Sequence, residues 1–181
     1  MLRDNLGAAL FDLPLGLRAD PDGVHLGTLG RVSSSEICGR GDRIAGVLVR
    51  FSGRLEQVGL FAMETEDAFA VVQHRAWADD PLGTYTDFGR DIVRAVTAAI
   101  DSRGVPQAGE ASLWEETAIQ ALLGTHAPSD TVVVSVSLQL SVAGEAARTG
   151  YVYVLAEPKP FAVVRSEALV GEANQGTLPG V

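Results

Sequence analysis

The sequence contains only one cysteine and one lysine among its 181 residues. Cys38 alone cannot form an internal disulfide or supply the several thiolates of a cysteine-based zinc site. The single lysine, Lys159, lies between two prolines, so the Gly-Lys phosphate-binding loop is missing and Schiff-base chemistry is not expected. Disulfide scaffolds, cysteine-ligated zinc domains and phosphate-loop nucleotidases are therefore excluded.

Long hydrophobic runs are also missing. No stretch has the roughly 20 apolar residues of a membrane span. The first residues, MLRDNLGAALFDLPLGLRAD, contain an acid at position 4 and are interrupted by glycine and proline, unlike the basic start and unbroken apolar run of a secretion signal. We expect a cytoplasmic protein, and a virion location remains the alternative.

Basic charge is scarce and scattered. The formal net charge is -9, and the arginines do not gather in a stripe along the sequence. A surface of this sign repels nucleic-acid phosphate, so no nucleic-acid partner is expected. With 46% hydrophobic and 20% charged residues, the chain has the composition of a folded domain and the length of a single one.

The boundaries of that domain are predicted from composition. Residues 1–23 form an apolar arm that ends in the turn sequence Asp20-Pro21-Asp22-Gly23, residues 24–166 form one α+β core, and residues 167–181 form a flexible tail. The apolar residues of the arm must be covered, either by a short helix that folds back on the core or by a neighbouring subunit, because exposed apolar surface favours association. We favour contacts of the arm and tail with other subunits. The predicted interface residues are Leu10, Phe11, Leu13, Leu15, Leu17 and Leu178.

Strands and helices are predicted from the spacing of apolar residues. Strands are expected at 24–32, 44–51, 57–63 and 68–74, although the last run also suits a helix. A helix is expected over 88–103 with Thr86 or Asp87 as its N-cap, and a second one from the capping box at Ser112 to Gly124. The alternating segment 131–142 predicts a long strand with one buried face, followed by strands at 151–156 and 161–165.

This order predicts an α+β fold in which an antiparallel sheet, made of a meander and a long hairpin, carries two helices packed on one face. The order resembles the tunnelling fold of urate oxidase and the pterin-pathway enzymes. That resemblance implies an oligomer with pockets between protomers. The paired zinc-binding histidines and the threonine-centred motifs of those enzymes are missing, so their activities are not implied.

The stretch from His74 to Asp80 has the most varied chemistry. It follows a predicted strand and precedes the long helix, where a loop held by a rigid scaffold often carries a binding site. The candidate ligand-binding residues are His74, Arg75, Trp77 and Asp79. We favour a protein interface for this stretch over a ligand pocket, since Trp and Arg are also enriched at interfaces.

No metal or cofactor site is predicted. The three histidines are not spaced as a metal pair, and the Arg40-Gly41-Asp42 triplet beside Cys38 suits a turn before a strand. The favoured prediction is a non-catalytic, homo-oligomeric structural subunit that uses apolar arms and sheet edges to form a ring or a larger particle such as a virion. The alternative is a small-molecule-binding enzyme of tunnelling-fold type with its pocket between protomers.

Overall fold

A computed structural model describes residues 2–11, 13, 17–32, 44–52, 57–73, 79–100, 107–114, 119–142 and 145–156. These residues form six strands and four α-helices, with one 3-10 turn. The loop with Cys38 and the Arg-Gly-Asp triplet, the predicted strand at 161–165 and the predicted tail lie outside the described residues.

The elements follow one another in two similar halves. The first half contains helix α1 (Leu2–Leu10), strand β1 (Leu17–Thr28), the 3-10 turn η1 (Leu29–Arg31) and strands β2 (Ile44–Ser52) and β3 (Gln57–Glu64). Helix α2 (Thr65–Val72) leads to the second half. That half contains helix α3 (Pro81–Ile100), strand β4 (Gln107–Trp114), helix α4 (Ile119–Gly124) and strands β5 (Val132–Val142) and β6 (Arg148–Ala156).

The six strands form one antiparallel sheet in the order β1-β5-β6-β3-β2-β4. The hairpins β2-β3 and β5-β6 meet at the centre of the sheet, where β3 pairs with β6. The first strand of each half pairs with the hairpin of the other half: β1 with β5, and β4 with β2. Neither half therefore completes a sheet by itself. The predicted α+β class with an antiparallel sheet is confirmed.

Both faces of the central strands are buried. On one face Val47, Phe61 and Val152 pack beneath helices α1, α2 and α3. On the other face Leu48, Leu60 and Tyr153 pack beneath the short helix α4 and η1. Because side chains alternate along a strand, burial of consecutive apolar residues in β2 and β3 means that both faces are covered, as expected of the centre of a layered sheet.

The N-terminal region forms a short helix that folds back on the core, which is one of the two arrangements expected for it. Leu6 and Leu10 of α1 are buried against the chain's own core, and α1 packs on α3. The predicted turn at Asp20-Pro21-Asp22-Gly23 is wrong, because these residues lie within β1 and pair with β5, with a register shift between Pro21 and Gly23. A bulge absorbs the proline on this edge strand, where its missing N–H costs no ladder bond inside the sheet.

Two other elements also differ from the prediction. In the run predicted as a strand at 68–74, residues 68–72 belong to helix α2, which ends at Val72, so the helix alternative holds for them. The predicted helix from Ser112 is wrong in its first part, since residues through Trp114 form β4 and the helix is only Ile119–Gly124. Among the described residues, no helix is both long and apolar enough to span a membrane.

Candidate protein-interaction surface

Helix α2 places an apolar stripe next to the sheet. Its residues Thr65, Ala68, Phe69 and Val72 follow the i, i+3, i+4, i+7 spacing that sets side chains on one side of a helix, and all four line a groove. Ala68 is buried in the core, whereas Phe69 keeps 51% of its surface exposed. The stripe therefore runs from the core out to solvent.

The other wall of the groove is the start of α3. Asp80 precedes the helix, and its Oδ1 accepts a hydrogen bond from the backbone N–H of Gly83 at 3.0 Å, while Pro81 occupies the first helical position. This cap places Leu82 and Tyr85 along the groove, where Leu82 is 55% exposed. The Tyr85 hydroxyl donates to the carbonyl oxygen of Ala45 at 3.0 Å, which ties this wall to β2.

The groove between α2 and α3, which we call the α2–α3 groove, is apolar and small. The space inside it that the centre of a water-sized sphere can occupy is only about 20 Å³. Sites for small-molecule ligands are usually larger, at about 300–1,000 Å³. Two large exposed apolar side chains, Phe69 and Leu82, line the same groove.

Carboxylates lie on the same two helices. Glu66 is exposed on α2, and Asp79 and Asp80 are exposed just before α3. Asp67 also lies on α2, but it is engaged by Arg148 of β6, whose Nη1 lies 2.6 Å from its Oδ1. The arginine of α3 nearest to the groove in sequence, Arg90, is paired with Asp87 at 2.6 Å.

A second open surface lies on the opposite face of the sheet, beyond the part that α4 covers. It is polar: Ser137 donates a long hydrogen bond to the carbonyl oxygen of Gly23, and Gln139 donates one to Thr149, both at 3.4 Å. Its lining residues come from three adjacent strands, β1, β5 and β6: Asp22, His25, Ser135, Ser137, Gln139, Thr149 and Tyr151.

The two described histidines, His25 and His126, do not line the groove. His25 is on the polar face, His74 is outside the described residues, and His126 follows α4. Burial, and secondarily the positive charge of Arg50, lower the pKa of His126 below its ordinary value of 6.5. In the described part of the chain, no three His, Cys, Asp or Glu side chains gather as a metal site would require.

The residues predicted to bind a ligand are only partly described. His74, Arg75 and Trp77 lie outside the described residues, and their ligand-binding roles stay a prediction. Asp79 is exposed two residues before α3, close in sequence to the groove.

The predicted interface residues have different environments. Leu10 is 1% exposed and packs within its own chain, so it offers no surface to another subunit, and Leu13 is partly buried against the same core. Phe11 is 86% exposed. Leu17 begins β1, and Leu15 and Leu178 lie outside the described residues.

Phe69 and Leu82 are not among the site residues that the sequence predicts. The apolar run around Phe69 matches a strand as well as a helix, and Leu82 falls in a predicted loop. The signal that locates the groove is the helical spacing of Thr65, Phe69 and Val72 together with the Asp-Pro start of α3.

The fold is an α+β domain whose strand order stays the same when the two halves of the chain are exchanged. Comparisons with solved structures show which proteins share this fold. No family model and no curated protein matches the sequence. Thermotoga maritima FliY matches with a TM-score of 0.60 and 10% identity, over 84% of this chain and 84% of that one. The FliM middle domain from Vibrio alginolyticus matches with a TM-score of 0.53 and 14% identity, over 91% and 94%.

A third similar structure is that of a FliG-FliM complex from H. pylori, with a TM-score of 0.51, 10% identity and coverage of 85% and 84%. At these identities the comparisons show a shared fold. The three structures are of FliY and FliM proteins. They give no support to the resemblance to the tunnelling fold of urate oxidase, which concerned the order of the elements.

Proposed function

We propose that this chain is a non-catalytic protein-binding domain that works within a protein assembly and binds its partner through the α2–α3 groove. The observation that carries the proposal is the pair of half-exposed apolar side chains, Phe69 and Leu82, on the two walls of one groove in an otherwise well-packed core. Removing such apolar surface from water at the centre of an interface contributes favourably to binding. The FliG-FliM complex supports the proposal, because it is a similar fold bound to another protein.

The proposal is tested by crosslinking from the groove. A photoreactive phenylalanine analogue is introduced at position 69, and at position 26 as a control, because Leu26 is also exposed but lies on the edge strand β1. We expect position 69, and not position 26, to give an adduct with one protein that mass spectrometry identifies.

That protein is then purified and titrated calorimetrically against the wild type, Phe69→Ser and Leu26→Ser. We expect Phe69→Ser to weaken binding by about tenfold or more, which corresponds to about 1.4 kcal/mol, while Leu26→Ser leaves it unchanged. Equal affinity for the two variants would show that the partner binds elsewhere.

Self-association through the N-terminal region is a second candidate, and the observation favouring it is the 86% exposure of Phe11. Leu15, Leu17 and Leu178 belong to the same proposal. Light scattering at micromolar concentration should then give a mass above 19.0 kDa that Phe11→Ser reduces. A monomeric wild type would remove this candidate.

The sheet edge at β1 is a poor site for such association. Pro21, the acids on either side of it and the shift in register hinder pairing with another strand. The long strand β5 is not available either, because it lies between β1 and β6. A cytoplasmic location remains part of the proposal, and no observation favours a virion.

A further inference from the structure

We infer that the partner of the α2–α3 groove is a basic segment of another protein that inserts a large apolar side chain between Phe69 and Leu82. This inference rests on the proposed function and specifies the chemistry of the partner. It follows from the size of the groove, from the charge around it and from the charge of the other possible occupants.

The size of the groove sets what enters it. Its lining is apolar, formed by Ala45 and the stripe of α2 on one side and by Leu82 and Tyr85 on the other. Tyr85 is buried and Ala45 belongs to the core, so the floor does not open further. The groove is therefore too small to enclose a whole side chain, so the partner's apolar side chain would contact Phe69 and Leu82 at its mouth while the rest of the partner lies across the exposed faces of α2 and α3.

Those faces carry a strong negative charge. Residues 64–91 contain seven carboxylates and two arginines, a formal charge of -5 out of the -9 of the whole chain. Of the described carboxylates in this stretch, Asp67, Asp87 and Asp91 are in ion pairs, two of them with arginines outside the stretch, Arg148 and Arg94. Glu66 and Asp79 are exposed and take part in no ion pair within the described residues. The full set of carboxylates is Glu64, Glu66, Asp67, Asp79, Asp80, Asp87 and Asp91.

The position of Glu66 adds to this. It lies three residues before Phe69, on the solvent side of the stripe, so its carboxylate is one helical turn from the exposed ring. On the other wall, Asp79 is three residues before Leu82. A lysine or arginine on either side of an inserted apolar side chain would thus meet a carboxylate at each wall, and such complementarity both steers association and selects the partner.

A second copy of the chain fits this charge less well, because it also carries -9 and is repelled at long range. The chain's own C-terminal segment, residues 157–181, contains three glutamates, one lysine and one arginine, a formal charge of -1. Within that segment, however, residues 158–166 contain Lys159, Phe161 and Arg165 and no acid, a local charge of +2. A synthetic 157–181 peptide is therefore the competing occupant in the experiment.

The test selects peptides that bind the groove from a random library with no bias in charge or hydrophobicity. A random library of 16-residue peptides is displayed and selected on the immobilised full chain, and the enriched peptides are synthesised with a fluorophore. Their affinities are measured by anisotropy for the wild type, Phe69→Ser and the Leu26→Ser control, at 50 and 300 mM NaCl. We expect enriched peptides with a net positive charge and at least one Leu, Phe or Trp.

We expect their affinity to fall by about tenfold or more on Phe69→Ser and by a similar factor at the higher salt concentration, since the interaction is partly between exposed charges. Glu66→Gln combined with Asp79→Asn should weaken binding and reduce its salt dependence. The control pair Asp22→Asn and Asp130→Asn removes the same charge from exposed positions on β1 and in the turn before β5, and should change binding less.

The outcomes separate this inference from the proposed function. Peptides that require Phe69 but are neutral or acidic, or that bind independently of salt, would overturn the basic partner and leave the groove as the binding site. Peptides indifferent to Phe69→Ser would overturn both. Self-association that Phe69→Ser abolishes, or Phe69-dependent binding of a synthetic 157–181 peptide, would assign the groove to that occupant instead.

Discussion

The hydroxyl of Tyr85 donates a hydrogen bond to the backbone carbonyl oxygen of Ala45 at 3.0 Å, across the floor of the α2–α3 groove. Both residues are buried, and this contact joins the start of α3 to the start of β2. The ring of Tyr85 also packs on Phe61, with centroids 5.8 Å apart. The wall that carries Leu82 is thus fixed to the sheet by one polar and one aromatic contact.

Tyr85→Phe should lower the free energy of unfolding by about 1 kcal/mol, because it removes a buried hydrogen bond and keeps the ring. Urea unfolding followed by circular dichroism measures the change. The slope with urea should stay the same, since the surface exposed on unfolding is unaltered. An unchanged free energy would mean that water or another group satisfies the Ala45 carbonyl equally well.

The close approach of α3 to the sheet depends on Gly89. A Cβ at this position would lie 2.8 Å from the Cβ and Cγ2 atoms of Val47 and 3.0 Å from Cδ1 of Phe61. Gly89→Ala should therefore destabilise the fold by about 1–3 kcal/mol through overpacking, despite the better helix propensity of alanine.

Gly7 in α1 provides the matched control, because a Cβ there meets no heavy atom within 4 Å. Gly7→Ala should stabilise the protein by up to about 1 kcal/mol, as expected when alanine replaces glycine in a helix. Thermal unfolding of the two variants should move in opposite directions. A Gly89→Ala variant as stable as Gly7→Ala would show that α3 can shift away from β2 at little cost.

The sheet is largely predictable from the sequence because its central strands carry strong local signals. Strands β2, β3 and β5 lie within one or two residues of their predicted bounds, and the alternation in β5 correctly identifies the face that buries Val134, Val136 and Leu138. When apolar and polar residues alternate along a strand, the apolar residues mark the buried face, because successive side chains point to opposite faces of the sheet.

The elements that form the groove are less predictable. Pro81 and Gly83 indicate a loop, whereas Asp80 and Pro81 start α3 about seven residues earlier than predicted. The run around Phe69 is rich in valine and alanine and suits either a strand or a helix, and packing of Ala68 and Val71 on the sheet decides for the helix. Without these two helix assignments, the groove could not be located.

The ion pair between Arg148 and Asp67 should contribute only modestly to stability. Its atoms lie 2.6 Å apart, but the two side chains remain 31% and 30% exposed, so solvent screens the interaction. A double-mutant cycle with Arg148→Ala and Asp67→Ala should give a coupling free energy below about 1 kcal/mol that decreases at 1 M NaCl. A coupling of several kcal/mol would show that α2 is held on β6 mainly by this pair.

The lowered pKa of His126 predicts a loss of stability on acidification. Burial, and to a lesser degree Arg50, disfavour the protonated ring in the folded protein, whereas the unfolded chain takes up the proton near the ordinary value of 6.5. Below about pH 6.5 the unfolded state therefore binds more protons, and the free energy of unfolding falls as pH decreases. His126→Gln should show a smaller decrease between pH 7.5 and 5.5 in urea unfolding.

The contributions of burial and of Arg50 to the lowered pKa of His126 can be separated by following its ring proton by NMR through a pH titration. Its midpoint should lie below 6.5, and Arg50→Gln should raise it only part of the way, because burial is the larger cause. Arg18→Gln, on the edge strand β1, is the matched control and should leave the midpoint in place. A midpoint that returns fully to 6.5 in Arg50→Gln would show that charge repulsion, rather than burial, sets the protonation of His126.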